Sequence, residues 1–412
     1  MKHARQMSVW GTVLVLAFMA AVGSPAAYGA TEQDKQQAID DGLAWLASTQ
    51  STSGAEGYWP RGDSGTLATT ASAVLAFIEE GYLPGDGSAY GDGVVQRACN
   101  YIFNRATNDA QGMYFNPGAY NRSVYTTGIV APVVYALGKA NPDAVVGMGS
   151  GAVAGQTYRQ TMQDVSDWFG WGQNNDGGWQ YQPNSGNSDN STAQWGGLTL
   201  LYADAWGCTI RDPSNPGWDV KANLNNWVNY IQNATSGGSG YNTPNTYVNV
   251  AKTGGLLVEL AAIGAPPGDP RVQAALNFIN QRWNTLPSGD WYGNLNHPYA
   301  MWAVFKALET YSVSTMSNAP GGITIGQDWD PQTSLPGDWF AHYCDYLVNI
   351  QNGDGSWNGY SYWTGALATG WYINILNAAG APPPIIPEPV TAAGLLLGVG
   401  CLARYVRRRK SR

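Results

Sequence analysis

The residues that could do chemistry are spread along the chain rather than gathered in one motif. Between residues 31 and 380, glutamate stands at Glu32, Glu56, Glu79, Glu80, Glu259 and Glu309. Hydrolysis of a glycosidic bond uses two carboxyls about 5–10 Å apart, and the sequence alone pairs none of these. His297 and His342 are the histidines of this stretch. Cys344 and Asp345 lie beside His342, but adjacent positions of a helix point apart and do not converge on one ion. No metal site is expected, and no cofactor motif is present. Cys99 and Cys344 share a register just before Tyr and Ile/Leu, which reads as two small buried thiols. Cys208 is left over, and nothing selects a disulfide. Asn174-Asn175-Asp176-Gly177 and Asn352-Gly353-Asp354-Gly355 carry part of a calcium-loop pattern. They lack the leading Asp and place Pro183 and Ser361 where the closing Glu belongs, so they read as turns.

Composition sets the outer bounds. The 412 residues include 18 Trp and 24 Tyr, while 12% are charged. That is too aromatic for a disordered chain, and the net charge of −8 argues against a nucleic-acid partner.

The elements that would position these side chains form a sixfold repeat. An amphipathic segment ending in an aromatic-apolar pair recurs at Trp45-Leu46, Tyr101-Ile102, Trp168-Phe169, Trp227-Val228, Phe278-Ile279 and Tyr346-Leu347. A loop with Gly and a large aromatic follows each. A second segment comes next, apolar nearly all round. In it a Thr is trailed eleven residues later by Gly: Thr70 to Gly81, Thr127 to Gly138, Thr253 to Gly264 and Thr369 to Gly380. The Gly fits a helix C-cap. A one-sided helix followed by an all-apolar one is an outer and inner pair. Six such pairs predict an all-α (α/α)6 toroid over residues 31–380.

The loops sharpen this. Gln173-x-x-x-Gly177-x-Trp179 and Gln351-x-x-x-Gly355-x-Trp357 are spaced identically, and Gln50 with Trp59 is a variant carrying an insertion. This pattern resembles the QW repeats of the terpene cyclase and prenyltransferase superfamily, whose bodies are α/α toroids. The resemblance implies structural corners, and a Gln amide that satisfies a helix end while lying on an indole would tie neighbouring hairpins together. It does not bring the chemistry with it. Squalene-hopene cyclases protonate a polyene with Asp-x-Asp-Asp-Thr-Ala. The matching stretch here is Ser188-Asp189-Asn190-Ser191-Thr192-Ala193, with Asn190 where the proton donor would stand. Asp189 reads as a helix cap. The zinc ligands of the protein prenyltransferases are missing as well.

Contacts to a ligand are expected from the loops ahead of each inner helix. They contain Arg61, Asp63, Arg122, Tyr125, Asp189, Asn190, Lys252, His297 and Trp363, with His297 at the repeat position of Asn190.

The two ends read as addresses. Residues 1–30 have a basic start, an apolar run and small residues at the cut, as in a secretory signal peptide. Residues 381–386 are a Pro-rich linker. Residues 387–412 hold Pro387-Glu388-Pro389, an apolar stretch and a basic end, and resemble the PEP-CTERM sorting tail of exported bacterial proteins. That resemblance implies an exosortase-type partner, a transmembrane helix at 390–406 anchoring the chain before the tail is removed, and delivery to the cell surface or outside. A permanent tail anchor is the alternative. Without its ends the chain carries a charge near −15, because they hold eight basic residues against Glu388 alone.

The resulting expectation is an exported toroid with an aromatic cavity, binding a glycan or isoprenoid ligand or serving as structure. The alternative is an enzyme acting on a polysaccharide, as hydrolase or lyase, or a divergent terpene cyclase.

Overall fold

The computed structural model describes residues 30–61, 65–115, 122–319 and 337–378. Among them are twelve α-helices: α1 (Glu32–Thr49), α2 (Thr66–Glu79), α3 (Gln96–Phe103), α4 (Ser123–Gly138), α5 (Tyr158–Trp171), α6 (Asn190–Ala205), α7 (Val220–Ile231), α8 (Val250–Ala262), α9 (Pro270–Gln281), α10 (Pro298–Thr310), α11 (Trp339–Asn349) and α12 (Gly365–Leu376).

The helices start where short polar side chains can cap them. Thr31 with Asp34 and Thr157 with Gln160 form reciprocal capping boxes on α1 and α5. Asp189, Asp219, Asn249 and Asp338 accept from the third residue on at the starts of α6, α7, α8 and α11.

Burial sorts the helices into two rings. On α8 every residue from Val250 to Ala262 is buried. On neighbouring α9 only Val272, Ala275, Phe278 and Ile279 are. The all-apolar helices therefore sit inside and the one-sided helices outside. The inner helices pack in order, α2 on α4, α4 on α6, α6 on α8, α8 on α10 and α10 on α12, and α12 returns to α2. The ring is closed, as the repeat predicts. Because each hairpin runs outer to inner, all six aromatic loops lie at one end, the mouth.

Three features depart from the sequence reading. The first two mouth loops contain small antiparallel hairpins, β1 (Ser51–Ser53) with β2 (Glu56–Tyr58) and β3 (Ala106–Asp109) with β4 (Gly112–Phe115). The position just past the inner helices is Gly81, Gly207 and Gly264, but Ser312 and Ala378 hold it in the last two hairpins. Gly138 instead closes α4 in helical conformation, and Gly380 lies outside the described residues.

The third departure is the membrane anchor, and it is corrected. Among the described residues no helix is long and apolar enough to cross a membrane. The longest, α1, spans 18 residues and carries Glu32, Asp34, Lys35, Asp40 and Asp41. The apolar run Val390–Ala403 would reach about 21 Å as a helix against a bilayer core of about 30 Å. That run lies outside the described residues, together with residues 1–29, the linker at 381–386 and the motif Pro387-Glu388-Pro389.

Candidate functional site

The corners of the ring explain the repeated Gln, Gly, Trp and Thr. Trp59, Trp179 and Trp357 each donate through Nε1 to a last-turn carbonyl of their own outer helix, at Leu46, Phe169 and Leu347, each at 2.8 Å. These are carbonyls a helix C-terminus leaves without a partner. The indole, rather than the glutamine, satisfies the helix end, while the expected tie between neighbouring hairpins is made by the glutamine. Gln instead reaches the next hairpin. Gln173 donates to Val220 O at 3.0 Å, Gln351 to Ala38 O at 2.8 Å and Gln50 to Val94 O at 3.0 Å. The Thr hydroxyl holds the loop. Trp59 N donates to Thr70 at 3.2 Å, Phe115 N to Thr127 at 2.9 Å, Ser239 N to Thr253 at 3.0 Å and Trp357 N to Thr369 at 3.2 Å.

The lumen is crossed by its own side chains. Trp195 on α6 stacks on Trp371 of α12, the helix opposite it in the ring, with centroids 6.4 Å apart. Trp302 on α10 stacks on the same indole at 6.5 Å. Just above, Gln194 donates to the Tyr299 hydroxyl, which donates to Ser191 O at 3.1 Å. Two ionisable groups lie in this interior without hydrogen-bond partners, the Glu259 carboxyl and the Lys306 ammonium. Lys306 Nζ sits 4.3 Å from the Trp195 ring and 5.6 Å from Trp302, a cation–π arrangement. Burial pushes Lys306 down to about 7 and Glu259 well above the usual carboxylate range. Sequence reasoning named Glu259 only among the glutamates and missed Lys306. The available signal was a lone charge inside an apolar run, as in Val258-Glu259-Leu260 and Phe305-Lys306-Ala307.

The mouth lies above this plug. Asp189 caps α6, accepting from Thr192 N at 3.0 Å and from Ser191 and Tyr241 hydroxyls. Burial raises its pKa. Asn190 is a tie rather than a reacting group. It donates to Ser239 Oγ at 2.8 Å and Lys252 O at 3.1 Å, and accepts from Trp227 Nε1 at 2.8 Å. His297 caps α10 through Nδ1, 3.5 Å from Ala300 N. It therefore matches Asp189 rather than Asn190, a correction of one residue, because the cap and not the Thr sets the helix start.

Lys252 faces the Tyr241 ring at 5.8 Å. His297 lies 4.9 Å from Trp363, which stacks on Tyr299 at 5.2 Å. Tyr125 packs edge-on against Trp195 and Tyr181, and Arg122 lies 5.3 Å over Tyr181. The structure thus gathers Tyr125, Arg122, Asp189, Lys252, His297 and Trp363 around the mouth. Arg61 stands apart, with its backbone bonded to Thr66, and Asp63 lies outside the described residues. Away from the mouth, His342 Nδ1 accepts from Trp283 Nε1 at 2.8 Å, while Cys99 and Cys344 are buried free thiols. Asp176 and Asp354 bond Ser188 and Ser356 inside their own loops.

One end of the ring is aromatic. Six Trp and Tyr side chains are exposed among the described residues, and five stand on mouth loops: Tyr181, Tyr247, Trp291, Tyr292 and Tyr362. Tyr247 and Trp291 hold φ of 50° and 59°, a left-handed conformation costly for residues with a Cβ.

The class this architecture defines is the α/α toroid, and solved structures share it. A variant of the type II terpene cyclase MstE from Scytonema, in complex with merosterolic acid A, matches at 13% identity over 85% of this chain and 98% of its own, with a TM-score of 0.50. The GH76A α-1,6-mannanase from Salegentibacter sp. HEL1_6 matches at 10% identity over 84% and 98%, with a TM-score of 0.52. Its inactive variant in complex with α-1,6-mannotetrose matches at 9% identity over 84% and 98%, with a TM-score of 0.53. No protein-family model and no curated protein matches the chain. These likenesses are of fold.

Proposed function

We propose that this toroid binds carbohydrate at its mouth and does not turn it over. The observation that carries this reading is the aromatic rim, with five of six exposed Trp and Tyr side chains on one end. The C–H face of a sugar ring lies flat on the negative face of an indole or phenol, and a rigid aromatic costs little entropy to order. The strained backbone at Tyr247 and Trp291 supports the same assignment, since such strain gathers at ligand sites. An isoprenoid would need the lumen, which the Trp195–Trp371 contact crosses. A hydrolase would need two free carboxyls facing the mouth, and Asp189 is occupied as a cap.

The test is calorimetric titration of the full chain with neutral and acidic oligosaccharides. Trp291→Ala is expected to weaken binding by about two- to tenfold, the typical value of one stacked aromatic being about 0.5–1.5 kcal/mol. Thermal stabilisation by a polyprenoid, with no glycan binding, would sink the reading.

We further propose, from the order of Pro387-Glu388-Pro389, apolar stretch and basic end alone, that an exosortase-type enzyme reads the tail. An intact Arg412 on the mature native protein, found by mass measurement, would refute it.

A further inference from the structure

The mouth holds one buried donor without a well-formed hydrogen bond, and a lysine ammonium close to it. His297 Nδ1 is committed as an acceptor at the start of α10, so the neutral ring carries its proton on Nε2. That Nε2 is buried and makes no hydrogen bond of good geometry, the Trp291 backbone being the one neighbour outside its own residue that favours a proton on the ring. It lies among Tyr360 at 5.2 Å and Trp363 at 4.9 Å, and Trp363 in turn meets rim residue Trp291 at 6.3 Å.

Lys252, on the first turn of neighbouring α8, is the second donor. It is 4% exposed, and among the described residues its ammonium makes no hydrogen bond or ion pair, only the contact with Tyr241. The two are close enough to feel each other. The Lys252 charge, after burial, holds His297 down at about 3. Burial likewise pulls Lys252 down to about 7, against the pull of Asp189. Asp189 cannot serve as the missing acceptor. Its oxygens are taken by Ser191, Thr192 and Tyr241, and it forms no ion pair with Lys252.

A buried donor without an acceptor costs about 1–3 kcal/mol, more when charged. A water offers a donor as well as an acceptor. A carboxylate offers acceptors only, and a full negative charge. We propose that Lys252 and His297 form a carboxylate subsite, and that the sugar bound at the mouth is a uronic acid whose ring stacks on Trp291 and Trp363. This rests on the reading of the mouth as a carbohydrate site and adds the ligand's charge to it.

The probes are tetramers of galacturonate, glucuronate, mannuronate and guluronate, together with their methyl esters, titrated into the full-length chain. The ester keeps the ring and removes the charge. At least one acid is expected to bind tenfold or more tighter than its ester, with an advantage that shrinks as salt rises. Lys252→Met should abolish that advantage, lowering the acid's affinity far more than the ester's. His297→Asn keeps the cap, as Asn249 does on α8, and removes the Nε2 donor. It should cut the advantage several-fold in a fully folded protein. Acid and ester binding equally, both lost in Trp291→Ala, would overturn the carboxylate subsite and leave the carbohydrate site standing. An acid preference untouched by either variant would also overturn it. Failure of every acid, ester and neutral oligosaccharide to bind would overturn both.

Discussion

At the scale of single residues, the interior is set by the cost of burying charge. Lys306 has a folded pKa of about 7 against an ordinary 10.5, with burial as its cause. Between those values the unfolded chain holds the proton and the folded chain does not, so stability rises with pH across the window. The stability is present above 10.5 and lost as pH falls through about 7. Lys306→Met removes the group and keeps most of its stem on Trp195. It is expected to flatten that rise, which amounts to about 1.4 kcal/mol per pH unit, and to raise stability at pH 7. Urea denaturation at pH 7, 8.5 and 10 measures it, and an unchanged slope would refute it. Glu259 has the opposite sign, because its folded pKa is raised and its penalty grows as pH rises above the ordinary carboxylate value.

Asn190 supplies a second residue-scale test. Restoring the acid at this position with Asn190→Asp would leave Ser239 Oγ and the Lys252 carbonyl facing an oxygen rather than the amide that now bonds them. The expected cost is about 2–4 kcal/mol, with no cyclised product from squalene by gas chromatography. Product formation would show that one atom separates this chain from a cyclase. The sequence identified Asn190 as a proton donor lost. It could not show that the amide had become a tie between three helices, because its partners Trp227, Ser239 and Lys252 all come from the next hairpin, α7 and α8 with the loop between them.

At the scale of the element, the repeat was legible because each recurring residue performs one local task. Thr70, Thr127, Thr253 and Thr369 stood out by spacing, and each accepts the backbone N–H of its own mouth loop. The division of labour between Gln and Trp was not legible. It depends on which carbonyl is left free by a helix end and which lies on the next hairpin. The loop glycines show the same dependence on neighbours. Gly177 has φ of 91°, and a Cβ there would come within 1.8 Å of Asn223 O on α7; Gly81 has φ of 95° with open space around it. Both pay for a left-handed side chain, about 1–2 kcal/mol, but only Gly177 also pays for a backbone clash. Gly177→Ala is therefore expected to cost at least about 3 kcal/mol and Gly81→Ala about 1. Equal costs in chemical denaturation would mean that the corner is not packed as described.

At the scale of the whole molecule, closure makes the seam between the last hairpin and the first an ordinary corner. Gln351 reaches Ala38 O as Gln173 reaches Val220 O, and a Cβ on Gly355 would meet Asp41 O as one on Gly177 would meet Asn223 O. An open array of repeats unfolds from its ends, and its terminal contacts are the weakest. A ring has no terminal contact, because α12 lies on α2 and α1 lies on α11 and α12. Gln351→Leu is then expected to cost about 1–2 kcal/mol, and Gln173→Leu more because it also leaves Trp218 Nε1 without its acceptor, both within one cooperative transition. The two glutamines share their loop spacing and their reach to the next hairpin, while Gln173 also accepts from Trp218 Nε1 at 2.7 Å, so the test of closure is whether Gln351→Leu costs anything at all. A silent Gln351→Leu beside a costly Gln173→Leu, or an early transition confined to α1 and α12 by hydrogen exchange, would place a gap at the seam. The mouth would then lose the rigid circle that holds Trp363 and Trp291 in register with Tyr181 and Tyr241.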